Sequence, residues 1–186
     1  MIEAISGIAG AIGLSTSAGL NAYMPLLVVG LVARYTNLIK LNGPWDALTS
    51  GWVIGVLVVL LLIEMTVDKI PAVDTLNDGI QTIGRPLAGA ILFTAGSGMV
   101  GELHPVLAFI AGLLIAGGVH AAKTIARPAV TATTGGMGNW LVSVVEDVLS
   151  FIIAVVAILV PLLVLLVIVV VLIFYIRVTV NRSAEA

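Results

Sequence analysis

The chain has 186 residues, 60% of them hydrophobic and only 10% charged, with a net charge of −2 and a mean hydropathy of +1.22. A soluble domain carries about 25% charged residues, so a water-exposed fold of this composition would show large apolar patches and aggregate. The mild negative charge gives no footing for a nucleic-acid partner. The absence of cysteine excludes disulfides, thiolate metal sites and cysteine nucleophiles.

A spanning helix needs about 20 apolar residues to cross a hydrocarbon core about 30 Å thick. On that measure the chain is a single polytopic membrane domain over 1–186, with apolar segments at about 4–34, 47–68, 86–101, 105–127 and 140–176. The start, Met1-Ile2-Glu3, lacks the basic region and cleavage site of a secretory signal, so the first segment is expected to stay in the mature protein. That segment predicts a short leading helix, a break over Ser15–Asn21, and a second helix to Arg34. A polar loop follows from Tyr35 to Trp45, with Lys40 and the Asn42-Gly43-Pro44 turn.

The second segment ends in the charged tail Glu64-Met65-Thr66-Val67-Asp68-Lys69, before Pro71. The stretch from Pro71 to Arg85 is polar and acidic, which places Asp74 and Asp78 in a solvated loop. The Gly-rich third segment, Pro86 to Gly101, suits a tilted span or a re-entrant hairpin. The fourth, from Pro105, carries His120, Lys123 and Arg127 at its end, and Pro128 is expected to stop it. Thr131 to Asn139 is expected to be a linker. Trp140 then leads through Glu146-Asp147 into an apolar run from Val148 to Ile176 containing Pro161, the clearest single span.

The expected fold is therefore an all-α integral membrane protein with about five transmembrane or re-entrant helices. Ala18-Gly19-Leu20-Asn21-Ala22 echoes Gly117-Gly118-Val119-His120-Ala121, and such an echo would fit two helix-pair repeats of inverted topology. Arg34, Lys40, Arg177 and Arg182 would share one side, and Lys69, Arg85, Lys123 and Arg127 the other. The second set lies near acids and is discounted as internal, which puts the C-terminus in the cytoplasm.

The few charges carry most of the information. Glu64 and Asp68 are four apart and share a helix face. His120, Lys123 and Arg127, spaced by three and four, share another. The two faces are expected to meet, with Lys69, Arg85, Glu146 and Asp147 nearby. Such a cluster is either a structural ion-pair network with snorkelling cations or an intramembrane site for an ion, a proton or an anionic headgroup. Glu64, Asp68, Asp74 and Asp78 also form an E-x3-D, D-x3-D pattern around Pro71 that would admit Mg²⁺ or Ca²⁺. No other cofactor is indicated.

A second candidate is Thr134-Gly135-Gly136-Met137-Gly138-Asn139, where a following helix would aim its N-terminus at the break and attract an anion. It ends without G-K-[ST], so it is not a P-loop. The plain alternative is a connector capped by Asn139. Asn21, in the first break, is placed to hydrogen-bond across helices. His104 reads as a surface residue, and Trp45, Trp52 and Trp140 as interface anchors. Gly84, Gly89, Gly96, Gly98 and Gly101 read as close helix packing.

Several strings together carry a family resemblance: Gly19-Leu20-Asn21-Ala22-Tyr23-Met24-Pro25, Glu64, Asp68-Lys69-Ile70-Pro71-Ala72-Val73-Asp74, His120-Ala121 with Lys123, and Thr134-Gly135-Gly136 with Asn139. Over nearly its whole length the chain resembles a family of small bacterial membrane proteins catalogued as domain of unknown function 4126. D-K-I-P-x-V-D is the most specific string. The resemblance implies a bacterial inner-membrane protein and brings no catalytic residues with it.

The leading functional expectation is a small transporter, channel or flippase-like protein. Glu64 and Asp68 would take a cation or proton, and Lys123, Arg127 and Arg85 an anionic solute or lipid headgroup. Five spans are few for one permeation path, so a homodimer is expected. The alternatives are a membrane-embedded Mg²⁺-dependent enzyme acting on a lipid phosphate, and a non-catalytic membrane scaffold or assembly protein.

Overall fold

A computed structural model describes residues 2–67, 71–98 and 103–184, with side chains described except at 71–78, 97, 98, 175 and 178–184. Every regular element among these residues is helical. In order they are α1 (Ile2–Leu20), α2 (Tyr23–Tyr35), a 3₁₀ helix (Gly43–Thr49), α3 (Gly51–Val67), α4 (Pro71–Gly98), α5 (Pro105–Thr134), α6 (Met137–Leu159) and α7 (Pro161–Ala184). Helices α5 and α6 are long and apolar enough to cross a membrane. A third crossing is added if the 3₁₀ helix and α3, bent by 69° at Ser50, form one broken span. These helices mark a membrane protein.

Helix α1 is the hub, packed against α2, α4, α5, α6 and α7. Small residues let the backbones approach. A Cβ on Gly89 would strike the Ala116 side chain and come within 2.8 Å of the Gly112 carbonyl oxygen, while one on Gly112 would strike the Gly89 carbonyl. The Ser15 hydroxyl donates to that same Gly89 carbonyl at 2.9 Å, drawing α1 onto the α4–α5 pair. Apolar side chains gain little from leaving lipid for a protein interior. Close packing and interhelical hydrogen bonds of this kind therefore carry the assembly.

The outside of the bundle is apolar and the inside partly polar. On α4, Ile80 and Ile83 are each 68% exposed, while Gln81 and Arg85 are at most 1% exposed. Trp52 and Trp140 are exposed and Trp45 is half-buried. His104 is exposed, and its ring accepts the Val106 N–H at the start of α5.

The structure corrects several element boundaries. The segment from Pro71 to Arg85 is not a loop but the first half of α4, and the Gly-rich third segment continues the same helix as far as Gly98 rather than folding as a hairpin. Gln81 and Arg85 in its described part face inward, so polarity at those positions signals a buried face. Pro128 does not stop α5, which runs on to Thr134. An interior proline is tolerated where neighbouring groups satisfy the freed carbonyl. The expected linker from Thr131 to Asn139 shrinks to Gly135 and Gly136, whose φ of 61° and 87° favour glycine. Asn139 is not the cap of α6, which Gly136 precedes directly.

The expected break over Ser15–Asn21 shrinks to Asn21 and Ala22, because α1 is continuous through Leu20. The run from Val148 to Ile176 is not one span. It parts at Val160, and Pro161 opens α7, where its missing N–H costs nothing. Asn21 lies in a break and His120 inside a continuous helix, so the two echoing strings differ in structure.

The α4–α5 contact sets the first test. Gly112→Val forces the Gly89 carbonyl and the Phe93 Cβ apart from α5. It should lower stability by about 1–3 kcal/mol, read as earlier thermal unfolding in detergent. Gly118→Ala, which meets nothing within 4 Å, should leave unfolding unchanged.

Candidate functional site

Four helices and the break after α1 deliver polar side chains to one end of the bundle. Glu64 comes from the last turns of α3, Gln81 and Arg85 from adjacent turns of α4, and His120, Lys123 and Arg127 from one face of α5. Glu146 and Asp147 come from the first half of α6, and Asn21 from the break after α1. Helical spacing puts each set on a single face.

Arg85 is the centre of the first group. Its Nε and Nη2 donate to Glu64 Oε1 at 3.3 and 3.0 Å, and both side chains are fully buried. Its Nη1 lies 3.0 Å from His120 Nδ1. A guanidinium only donates, so Nδ1 accepts. That assigns the neutral ring, with its proton on Nε2 facing Thr82 Oγ1 at 3.2 Å. The result is a continuous chain, Glu64–Arg85–His120–Thr82, across α3, α4 and α5. Tyr23 at the start of α2 borders it.

The second group centres on Glu146. Its Oε2 takes Lys123 Nζ at 2.8 Å and Arg127 Nη2 at 3.2 Å, and Lys123 also donates to the Leu20 carbonyl at the end of α1. The Lys123 side chain is 3% exposed and that of Glu146 12%. Beside it, Asn21 Nδ2 donates to Asp147 Oδ1 at 3.0 Å. Asn21 Oδ1 accepts the N–H groups of Tyr23 and Met24 and so caps α2. One turn further into the bundle, the Ser17 and Ser150 hydroxyls each donate to the other residue's carbonyl, at 2.7 and 3.1 Å.

The buried polar atoms without a hydrogen-bond partner among the described residues include Gln81 Oε1, one turn before Arg85, and Ser143 Oγ, one turn before Asp147. Each such group costs about 1–3 kcal/mol unless a water or solute meets it.

Of the acidic face only Glu64 is described, and Arg85 stands between it and the basic face of α5. Glu64 meets His120 through that guanidinium, and the basic face of α5 takes Glu146. Asp68 and Lys69 lie outside the described residues, as do the side chains of Asp74 and Asp78. Of the four acids considered for a divalent cation, Glu64 alone has a described side chain, and among the described residues no three His, Asp or Glu side chains gather to hold a metal.

The second candidate is not drawn into the cluster. Thr134 and Gly135 are exposed at the tip between α5 and α6. Thr134 Oγ1 accepts the Gly138 N–H at 3.0 Å, and Asn139 Nδ2 donates to Thr131 Oγ1 at 2.9 Å. These polar groups satisfy one another and close a helical hairpin.

Sequence reasoning missed Gln81, Thr82, Tyr23, Ser143, and the pair Ser17 and Ser150. The signal was present in the spacings Ser17/Asn21, Gln81/Arg85 and Ser143/Asp147/Ser150, each a polar stripe at helical period.

Fold and cluster together define an all-helical membrane protein with an ionic interior. The chain belongs to the family described as Domain of unknown function (DUF4126), whose model matches residues 8–181. No curated protein and no solved structure matches it.

Removing one partner of a buried ion pair strands the other. Glu64→Gln should therefore destabilise the protein by about 3 kcal/mol, and adding Arg85→Gln should recover most of that loss. A double-mutant cycle in detergent by thermal unfolding measures the coupling. Additive losses would show that the pair contributes nothing specific.

Proposed function

We propose that the protein is a small membrane transporter that binds an anionic group, a phosphate or the phosphate of a lipid headgroup, at the basic face of α5. The observation that carries this reading is the single oxygen Glu146 Oε2 held by both Lys123 and Arg127. Two cations on adjacent helical turns converging on one oxygen make an oxyanion site, here filled by a carboxylate of the protein itself. An entering anion takes the same two cations once Glu146 swings aside. Glu146 is more exposed than Lys123 or Arg127, which suits it to that movement.

The surroundings support the proposal. Charges inside a membrane bundle are expensive and are kept where ions or polar solutes are handled. The chain from Glu64 through Arg85 and His120 to Thr82 adds groups able to exchange a proton beside the anion site. The same proposal takes α2 and the stretch 161–174 as further short crossings, giving about five in all, and a homodimer in a bacterial inner membrane. The C-terminus faces the cytoplasm in this reading. Arg85, Lys123 and Arg127 are buried and do not count toward orientation.

Removing the internal competitor tests the site. Glu146→Gln should raise affinity for inorganic phosphate about tenfold, or 1.4 kcal/mol, and Lys123→Gln should abolish binding, both read by calorimetric titration of the purified protein. Binding only to bilayer discs containing phosphatidylglycerol would assign the site to a headgroup. If neither probe binds the wild type or Glu146→Gln, the anion-transport proposal fails.

A further inference from the structure

The opposite end of the same bundle holds a cavity of about 130 Å³. Its rim is half-buried and includes Ser6, Gly7, Ile39 and Pro161. Its floor is Leu14, Val29 and Leu92, which are 5%, 1% and 0% exposed.

The cavity and the charged cluster lie on the same helix faces. On α1, Gly7, Gly10 and Leu14 border the cavity, and Ser17 and Asn21 continue that face at spacings of three and four toward Asp147. On α4 the line runs from Gln81 and Arg85 through Ala88 to Leu92 and Ala95. On α6 it runs from Ser143 and Asp147 through Ser150 and Ala154 to Ala157. Three helices thus carry one continuous seam, polar at one end and hollow at the other. Leu14 and Asn21 are separated by about 10 Å along α1 at 1.5 Å per residue, and the Ser17–Ser150 hydroxyl pair fills the space between them.

We infer that the cavity is the outer half of the transport path, and that Leu14, Val29 and Leu92 form an apolar gate closing it off from the charged cluster. The inference rests on the transport reading above. Apolar constrictions block ions because water does not fill them. This collar sits between a cavity reached from one end of the bundle and the hydroxyl pair that leads to Asn21 and Asp147. Passage requires the three side chains to part, and α2, which supplies Val29 and begins at the Asn21 break, is the element placed to move them.

The cysteine-free sequence makes a direct test available. Ser17→Cys puts a near-isosteric thiol just beyond the collar, and Ser6→Cys puts one on the rim. A small, charged, membrane-impermeant methanethiosulfonate is applied to intact cells and, separately, to inverted vesicles. Ser6→Cys should be labelled from one side only, which identifies the cavity side. From that side Ser17→Cys should be nearly silent, and adding Leu92→Ala or Leu14→Ala should speed its labelling about tenfold or more as the constriction widens. Phe93→Ala, which empties a different buried cluster with Ala11 and Ala108, should leave the rate unchanged. Leu92→Val serves if the alanine variants do not fold. Unchanged labelling of Ser17→Cys in the folded collar variants, or equal acceleration by Phe93→Ala, would overturn the gate. Phosphate flux into liposomes, measured on the same variants, judges the transport reading separately. Labelling that opens without any flux would keep the gate and remove the transport role.

Discussion

The Arg85 guanidinium is the constraint around which the interior is arranged. It is fully buried and permanently charged, and it faces a carboxylate on one helix and an imidazole on another. A lone charge in such surroundings would cost several kcal/mol, so α3 and α5 must each bring a partner to a fixed place beside α4. The small residues of the α4–α5 contact are what let them do so. With Gly89, Gly112 and Ala116 in backbone contact, His120 stands two turns along α5 from Gly112 and level with Arg85. Packing by absence of side chains at one level thus creates the geometry for ion pairing at the next.

The same division of labour runs the length of α1. Toward its N-terminus, Gly7 and Gly10 border the cavity, whereas Ser15 and Ser17 fasten the helix to α4 and α6 by hydroxyl-to-carbonyl bonds, and Asn21 follows its end against Asp147. The helix passes from hollow, through apolar collar and hydroxyl, to charge without interrupting its backbone. A membrane bundle can carry such a gradient because its exterior needs only to be apolar. Side-chain identity inside is then free to serve the site.

Much of this was legible in the sequence. The helical class followed from hydropathy, and the shared buried face of His120, Lys123 and Arg127 followed from spacing. The misread stretches have separate physical causes. Polarity at Gln81 and Arg85 looked like solvation, but these side chains are hidden, and Ile80 and Ile83 supply the outward surface. Pro128 looked like a terminator, yet the helix continues past it. The Thr-Thr-Gly-Gly tip looked like an irregular linker, and two glycines with positive φ were enough to turn it. Arg85 was expected at the periphery of the cluster and proved to be its centre. No one-dimensional pattern shows that residues 64, 85 and 120 converge.

Asn21 performs two tasks that no other residue type could combine. Its oxygen holds the first N–H groups of α2, and its nitrogen holds a carboxylate of α6. An aspartate would keep the cap but set a second negative charge against Asp147, and a serine would be too short to reach both. The amide therefore works as a mechanical linkage. Any pivot of α2 about its first turn pulls on the α6 carboxylate, and any change in charge at that carboxylate alters the grip on α2. One side chain thus ties the electrical state of the interior to the tilt of a helix.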